Sequence, residues 1–540
     1  LTCYWSAPGG RIAAAVVRVA IAIAALVMLD RIHGLPAVSH PEQMAASIYH
    51  PVGILMVFQS PPPAIVIDVA ESLAYAGALA MLIGFFTRAA TVAAALGALV
   101  VASQAMSYQP SWSHDLNVVL LALIAFLGAR GGDALSVDAA LRRTHDRPPA
   151  DASYQWSLRL VQLAVGLMFL SACVLKLRSG GVHWALSDNL RHQLLARYDL
   201  TGGIDRPPIV DWLLERSWRY EGAALLNLIS QAMPLAAIVF ANRPLVRALA
   251  ALCFVTEVAA LYFVMELGNP SWFPLAAVFI DWDRLWAWVM RARRARPTEP
   301  SAPVRVPHAA KLFTAVFVVF DLAISFTPGL DQKLRTFPFS RFPMFALMRA
   351  KQPYTEHQTY ELIAGRIELV TDHPIEPWIQ AEIDRDYVYR TLHRESDRDA
   401  LHARTGVLLD QVRHRYPALA VRGVRVWVTM YQVPAYPAPA RLVAHDLGIF
   451  GELVDGTWTT HYLALPATGR ISLAADPALA GAPLALYRDG LPAADPPVAD
   501  PAGMLQIPPG RDMLHLVARL SGSDGVVRPY LVARRTNAYW

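Results

Sequence analysis

The side chains able to do chemistry in this sequence stand inside or at the ends of apolar segments. They are Arg18, Asp68, Glu71, His114, Asp115, Asn117, Lys176, Asn227, Gln231, Glu257 and Asp321. An ionisable group at bilayer depth is expensive, so each is a candidate site for proton transfer or charge pairing. Lys176 follows FLSACVL at the end of its segment. It could snorkel to the headgroups, pair with a carboxylate, or serve as a base; position alone leaves all three open. Glu257 lies within TEVAALYFVM and is too short to snorkel far. Its reading is divided between structural pairing, with Lys176 or an arginine, and catalysis. His114, in SWSHDLN, borders a segment beside Trp112. Lys176, His114 and Glu257 are therefore the candidate catalytic residues. Arg18 and the Asp68/Glu71 pair have simpler readings, as a snorkelling arginine and an interfacial helix face. No HExxH-type pair or His/carboxylate cluster with ligand spacing is present, so no metal site is expected. His393 and His402 are scattered on a charged stretch and read as solvated.

The elements that must position these groups are membrane spans. Over the whole chain of 540 residues, 55% are hydrophobic and only 17% charged, and the apolar excess is confined to the first three-fifths. A span needs about twenty apolar residues. Candidates lie at 12–29, 65–86, 90–107, 116–130, 157–175, 223–241, 245–265, 270–290 and 309–328, about nine in all, with the fourth and eighth the weakest. Runs such as AAALGALVVA let helices approach closely. The first segment is long enough to stay as an anchor rather than a cleaved signal peptide. Placing the N-terminus inside puts Arg88, Arg142, Arg143, Arg147, Arg243, Arg247 and the RARRAR run from Arg291 in the cytoplasm. The polar groups from Glu71 to Asp321 then gather in the outer half, which implies a cavity open to the extracytoplasmic side. Net charge is +5 and no Lys/Arg stripe is interleaved with aromatics, so nucleic acid is not an expected partner. The expected location is the inner (plasma) membrane, multi-pass.

Residues 1–290 form the transmembrane domain, 291–330 a basic Pro-rich linker with the last span, and 331–540 a folded extracytoplasmic domain. The segment TFPFSRFPMFALM (336–348) reads as interfacial. The spacing of apolar residues predicts a helix over 376–415. VRGVRVWVTMYQV (421–433) alternates like a strand, and short runs at 441–445, 458–464, 484–488, 513–519 and 526–533 follow. The expected fold class is thus an α-helical polytopic membrane bundle followed by an extracytoplasmic α+β, β-rich domain. Cys3, Cys173 and Cys253 form no CxxC and no disulfide framework.

Three stretches resemble the HTTM family, the membrane domain shared with vitamin K-dependent γ-carboxylases and many bacterial proteins. WSHDLNVVLLALIAFLGARGGDALSVD (112–138) is similar to the family's His-bearing helix. FLSACVLKLRSGGVHWALSDNLR (169–191) is similar to its small-residue helix ending in lysine. TEVAALYFVMELGNPSWFPLAAVFI (256–280) is similar to its late helix. In the carboxylases the lysine matching Lys176 is taken as the base that deprotonates reduced vitamin K, and His114 matches a polar position near the quinone. The resemblance therefore implies a reduced quinone as cofactor. The chain departs from the pattern in two places. It has Leu175-Lys176 where carboxylases carry paired lysines, and Thr256-Glu257-Val258-Ala259 where they show His-x-x-Asn. A glutamate near Lys176 would keep it protonated, against the base role.

Three functions follow as expectations. One is an HTTM-type protein acting on a lipid or quinone in an outward-facing cavity. Another is a carboxylase-like enzyme using Lys176 as base. The last is a non-enzymatic assembly factor whose external domain grips a protein partner. No repeated halves or paired broken helices favour transport.

Overall fold

The computed structural model describes residues 10–535 except 45, 47–48, 110–113, 143–151, 199–205, 268, 291–306, 343, 373, 377–378, 380–397, 439–442, 466–468, 489, 496, 508–512 and 523. In chain order the bundle contains α1 (Arg11–His33), α2 (Ala64–Ile83), α3 (Thr87–Ser107), the short α4 (Asn117–Ala125), α5 (Ala152–Gly180), the short α6 (Asn189–Tyr198), α7 (Ser217–Val239), α8 (Pro244–Phe263) and α9 (His308–Phe326). Among the described residues, seven of these, all but α4 and α6, are long and apolar enough to cross a membrane.

The two weakest of the nine expected segments fall short of membrane-length α-helices for local reasons, although both run between the two ends of the bundle. Segment 116–130 runs from Asn117 beside Ser340 to the turn that holds Arg18, and 270–290 from Trp272 beside Asp115 to Asp283 beside Gly10. The apolar run at 116–130 is helical for only nine residues and turns at Gly128, whose φ of 78° lies in the left-handed region. At 1.5 Å per residue α4 is only about 14 Å long, half a bilayer core. Val118 through Leu123 are all buried, so α4 is apolar because it fills the bundle rather than because it meets lipid. The run at 270–290 starts with Pro270 and contains Pro274, neither of which offers an N–H, and Pro270–Phe279 winds as a 3₁₀ segment against α1 and α8. The backbone becomes extended at Ile280 before a separate helix, Trp282–Met290, which buries none of its residues.

Small residues set the closest approach. A Cβ on Gly77 of α2 would lie 2.4 Å from the Ala94 nitrogen, and one on Gly97 of α3 2.5 Å from the Ala70 carbonyl oxygen. The two helices therefore pack backbone to backbone, as their Ala/Gly content foretells. Arg18 does not snorkel. Its guanidinium is fully buried and donates to the carbonyls of Leu135 (2.6 Å), Gly131 (2.8 Å), Ala134 (3.4 Å) and Leu82 (3.5 Å), tying α1 to the end of α2 and the turn after α4.

The C-terminal part is β-rich. Its main sheet runs in the order β1 (Tyr360–Val370), β2 (Gly423–Val433), β3 (Val443–Val454), β10 (Val527–Arg535), β9 (Leu514–Ser521), β6 (Leu484–Arg488) and β7 (Leu491–Pro492); β4 (Thr457–Thr459) pairs with β3. β5 (Arg470–Ser472) and β8 (Met504–Gln506) form a separate pair. All main-sheet neighbours are antiparallel except β3 and β10, which makes the sheet mixed. Helix α10 (Arg398–Arg415) covers one face through Leu401, Leu408, Leu409 and Val412. The opposite face packs Ile449, Leu516, Tyr530 and Val532 against Ile471, Leu479 and Leu505. Of the helix expected over 376–415, residues 377–378 and 380–397 lie outside the described residues. β1 adds a strand outside the expected runs, because its sequence YELIAGRIELV alternates imperfectly.

The sheet domain docks on one end of the bundle. Tyr360, Leu362 and Ala364 of β1 and Tyr431 and Val433 of β2 join the bundle's own hydrophobic core. Arg404 of α10 donates to the Tyr108 carbonyl at the end of α3 (2.7 Å), and Arg191 of α6 donates to the Pro434 carbonyl (2.7 Å). Arg88 and Arg243 begin α3 and α8 at the other end. The segment around 336–349 runs between bundle and sheet, burying Phe337 and Phe342.

Candidate functional site

Lys176 lies one turn from the end of α5. Asn227 and Gln231 are spaced i,i+4 on α7 and so share a face. Glu257 is in the second half of α8, the antiparallel neighbour of α7. These positions bring four polar side chains to one depth. Lys176 Nζ donates to Asn227 Oδ1 (2.6 Å) and Gln231 Oε1 (3.1 Å). Asn227 Nδ2 donates to both Glu257 oxygens at 2.7 Å, and Gln231 Nε2 donates to Glu257 Oε1 at 2.8 Å. The expected pairing of Lys176 with Glu257 is thus present in altered form: the two form no direct ion pair, and two amides stand between them.

The amide dipoles are aligned with the charges, oxygen toward the ammonium and N–H toward the carboxylate. This suits a charged lysine and a charged glutamate, each making charge-assisted hydrogen bonds. Trp184 completes the cradle, with the Lys176 nitrogen 4.5 Å from its ring centroid. Lys176 is 1% exposed and Glu257 2%, so neither charge reaches solvent. Phe345 and Met348 pack against Trp184 and Cys173, and the Trp184 indole donates to the Phe345 carbonyl (3.0 Å). The snorkelling reading of Lys176 fails on this geometry.

His114 belongs to another cluster. Its Nδ1 is 2.9 Å from Ser340 Oγ, which also accepts from Asn117 Nδ2 at 2.6 Å. Its ring meets Phe342 edge-on at 5.6 Å between centroids. Phe342 lies 5.9 Å from Trp272, Trp272 5.9 Å from Phe169, and Phe169 4.9 Å from Phe254. This aromatic row leads from His114 to the helices carrying Lys176 and Glu257, but His114 touches neither residue. Asp321, on the inward face of α9, is also buried, and its Oδ2 has no hydrogen-bond partner among the described residues. Glu71 pairs with His33 (2.9 Å) and Asp115 with Arg31 (2.9 Å), which gives both carboxylates structural roles at the domain-facing end.

A second acidic centre has no signature along the chain. Asp188, in the loop before α6, accepts at Oδ1 from the Tyr220 hydroxyl (2.5 Å) and lies 2.7 Å from His357 Nδ1. His357 stands on the loop before β1, and its ring is 4.8 Å from that of Tyr436. The partners come from three separate parts of the chain, so no local spacing could have announced them.

A bundle with seven membrane-length helices, a buried Lys–amide–Glu network in its domain-facing half, and a docked mixed sheet define the class of this protein. Comparison with protein-family models, curated proteins and solved structures gives no match to the chain.

Proposed function

We propose that this is an integral membrane protein of the HTTM/γ-carboxylase-like kind that acts on a lipid or quinone at the domain-facing end of its bundle. In this reading the N-terminus and arginine-rich loops are cytoplasmic and the sheet domain is extracytoplasmic. The observation that carries the reading is the Lys176–Asn227/Gln231–Glu257 network. It holds a cationic acid and a carboxylate base within one desolvated polar cluster, the setting in which a hydroxyl or quinone oxygen can be oriented and exchange a proton. The ammonium cradle disfavours the carboxylase alternative, because a base must be neutral and two amide oxygens plus a tryptophan face stabilise the charged form.

The test is binding and turnover of a short-chain reduced naphthoquinone, and separately of a labelled phospholipid, by the full chain in proteoliposomes. Wild type should bind one of them, and Lys176→Gln and Glu257→Gln should each weaken it by about tenfold or more, the loss of one charge-assisted hydrogen bond. Binding that neither substitution alters, or no binding of either ligand by wild type, would overturn the reading.

A further inference from the structure

The end of the bundle opposite the sheet holds a cavity of about 300 Å³. Its polar lining comes from Thr87, Arg88, Arg130, Asp133, Asp138 and Arg142. Both carboxylates are already engaged. Asp138 accepts from the backbone N–H groups of Phe86 (2.9 Å) and Thr87 (2.8 Å) and from the Thr87 hydroxyl (2.7 Å). Asp133 accepts from Arg142 (2.7 Å), the Tyr154 hydroxyl (2.9 Å) and Arg130 (3.0 Å).

The guanidinium groups are not exhausted by this. Each arginine presents five N–H donors in a planar fork, and Arg130 and Arg142 each give only one to Asp133. Arg88 makes no hydrogen bond or ion pair among the described residues. With three arginines against two aspartates the lining is net cationic and rich in unspent donors. Its chain neighbours are of the opposite character: Phe85, Phe86, Leu135 and Leu141 are large, apolar and exposed. A free polar ion would have no use for those side chains; a molecule with a phosphate at one end and hydrocarbon at the other would use both.

We infer that this cavity binds the phosphate headgroup of an anionic phospholipid, with the acyl chains over Phe85 and Phe86. Forked guanidinium groups match phosphate geometry, and basic pockets at the membrane surface attract anionic headgroups. The site is separate from the Lys176–Glu257 network and stands or falls independently of it.

The experiment is native mass spectrometry of the full chain in micelles doped with equal amounts of phosphatidylglycerol and phosphatidylcholine. Wild type should retain phosphatidylglycerol preferentially. Arg88→Gln should cut that preference about fivefold, and Arg88→Gln combined with Arg142→Gln by more. Arg243→Gln, at the same end but outside the cavity, should leave it unchanged. If the double variant fails to fold, Arg88→Gln alone carries the test, because its side chain holds nothing else in place. No preference in wild type, or an equal loss in Arg243→Gln, overturns the proposal. Displacement of the lipid by millimolar inorganic phosphate would also overturn it, assigning the cavity to a free ion.

Discussion

Lys176 and Glu257 are joined through Asn227 and Gln231, each of which accepts from the lysine and donates to the glutamate. The arrangement spreads two buried charges over a four-residue network, so each member stabilises the next. Removing one charge leaves the other desolvated without compensation. Lys176→Ala should therefore lower stability by about 3–5 kcal/mol, and Lys176→Ala/Glu257→Ala should recover part of that loss. Unfolding midpoints in micelles measure both. Strictly additive losses would show that the amides do not couple the charges.

Asp188 gives a second stability test, at the junction of bundle and sheet. Tyr220 is fully buried and its hydroxyl has Asp188 as acceptor. Asp188→Ala should cost about 1–3 kcal/mol because that hydroxyl loses its partner. Adding Tyr220→Phe should cost little more. If Tyr220→Phe is as damaging in the Asp188→Ala background as in wild type, the hydrogen bond is not the source of the loss.

His515 predicts a pH dependence for the sheet domain. It is 2% exposed on β9, and burial, with Arg534 adding to it, pushes its imidazole down to about 3. In the unfolded chain the same group titrates near its usual value of about 6.5. Between the two values the unfolded state binds a proton that the folded state does not. Stability should thus fall as pH drops from about 6.5 toward 3, by about 1.4 kcal/mol per pH unit, with no contribution from this group above that window. Hydrogen exchange across Leu514–Ser521 reads the effect, and His515→Leu should flatten the acid slope by one proton. An unchanged slope in that variant refutes the assignment.

The proposed orientation makes a topological prediction. A reporter active only outside the cytoplasm should be active when fused after Trp540 and silent when inserted at 291–306. Nine passes through the bundle, seven of them the membrane-length helices found among the described residues, would put the N-terminus and the sheet domain on opposite sides of a membrane. The reverse activity pattern would invert the orientation and move the sheet domain to the cytoplasm.

Much of the architecture is legible along the chain because it depends on local properties. Length and apolar content mark the seven membrane-length helices, Ala and Gly mark the close α2–α3 contact, and alternation marks β2 and β9. Hydropathy could not show that the 116–130 segment would stay helical for only nine residues or be buried among its neighbours, since an apolar segment inside a bundle and one facing lipid have the same composition. Lys176, Asn227, Gln231 and Glu257 could be singled out as polar groups at similar depth. That the amides would stand between the charges depends on how α5, α7 and α8 are rotated about their axes. His114 looked equally suited to that cluster, yet Ser340, 226 residues away, holds it elsewhere. The Asp188–His357 contact spans 169 residues and left no local trace. Sequence determined which residues are costly to bury, because that cost belongs to the side chain. Only the tertiary structure decided which partner offsets it, because hydrogen bonds act over about 3 Å and helix packing alone fixes positions that finely.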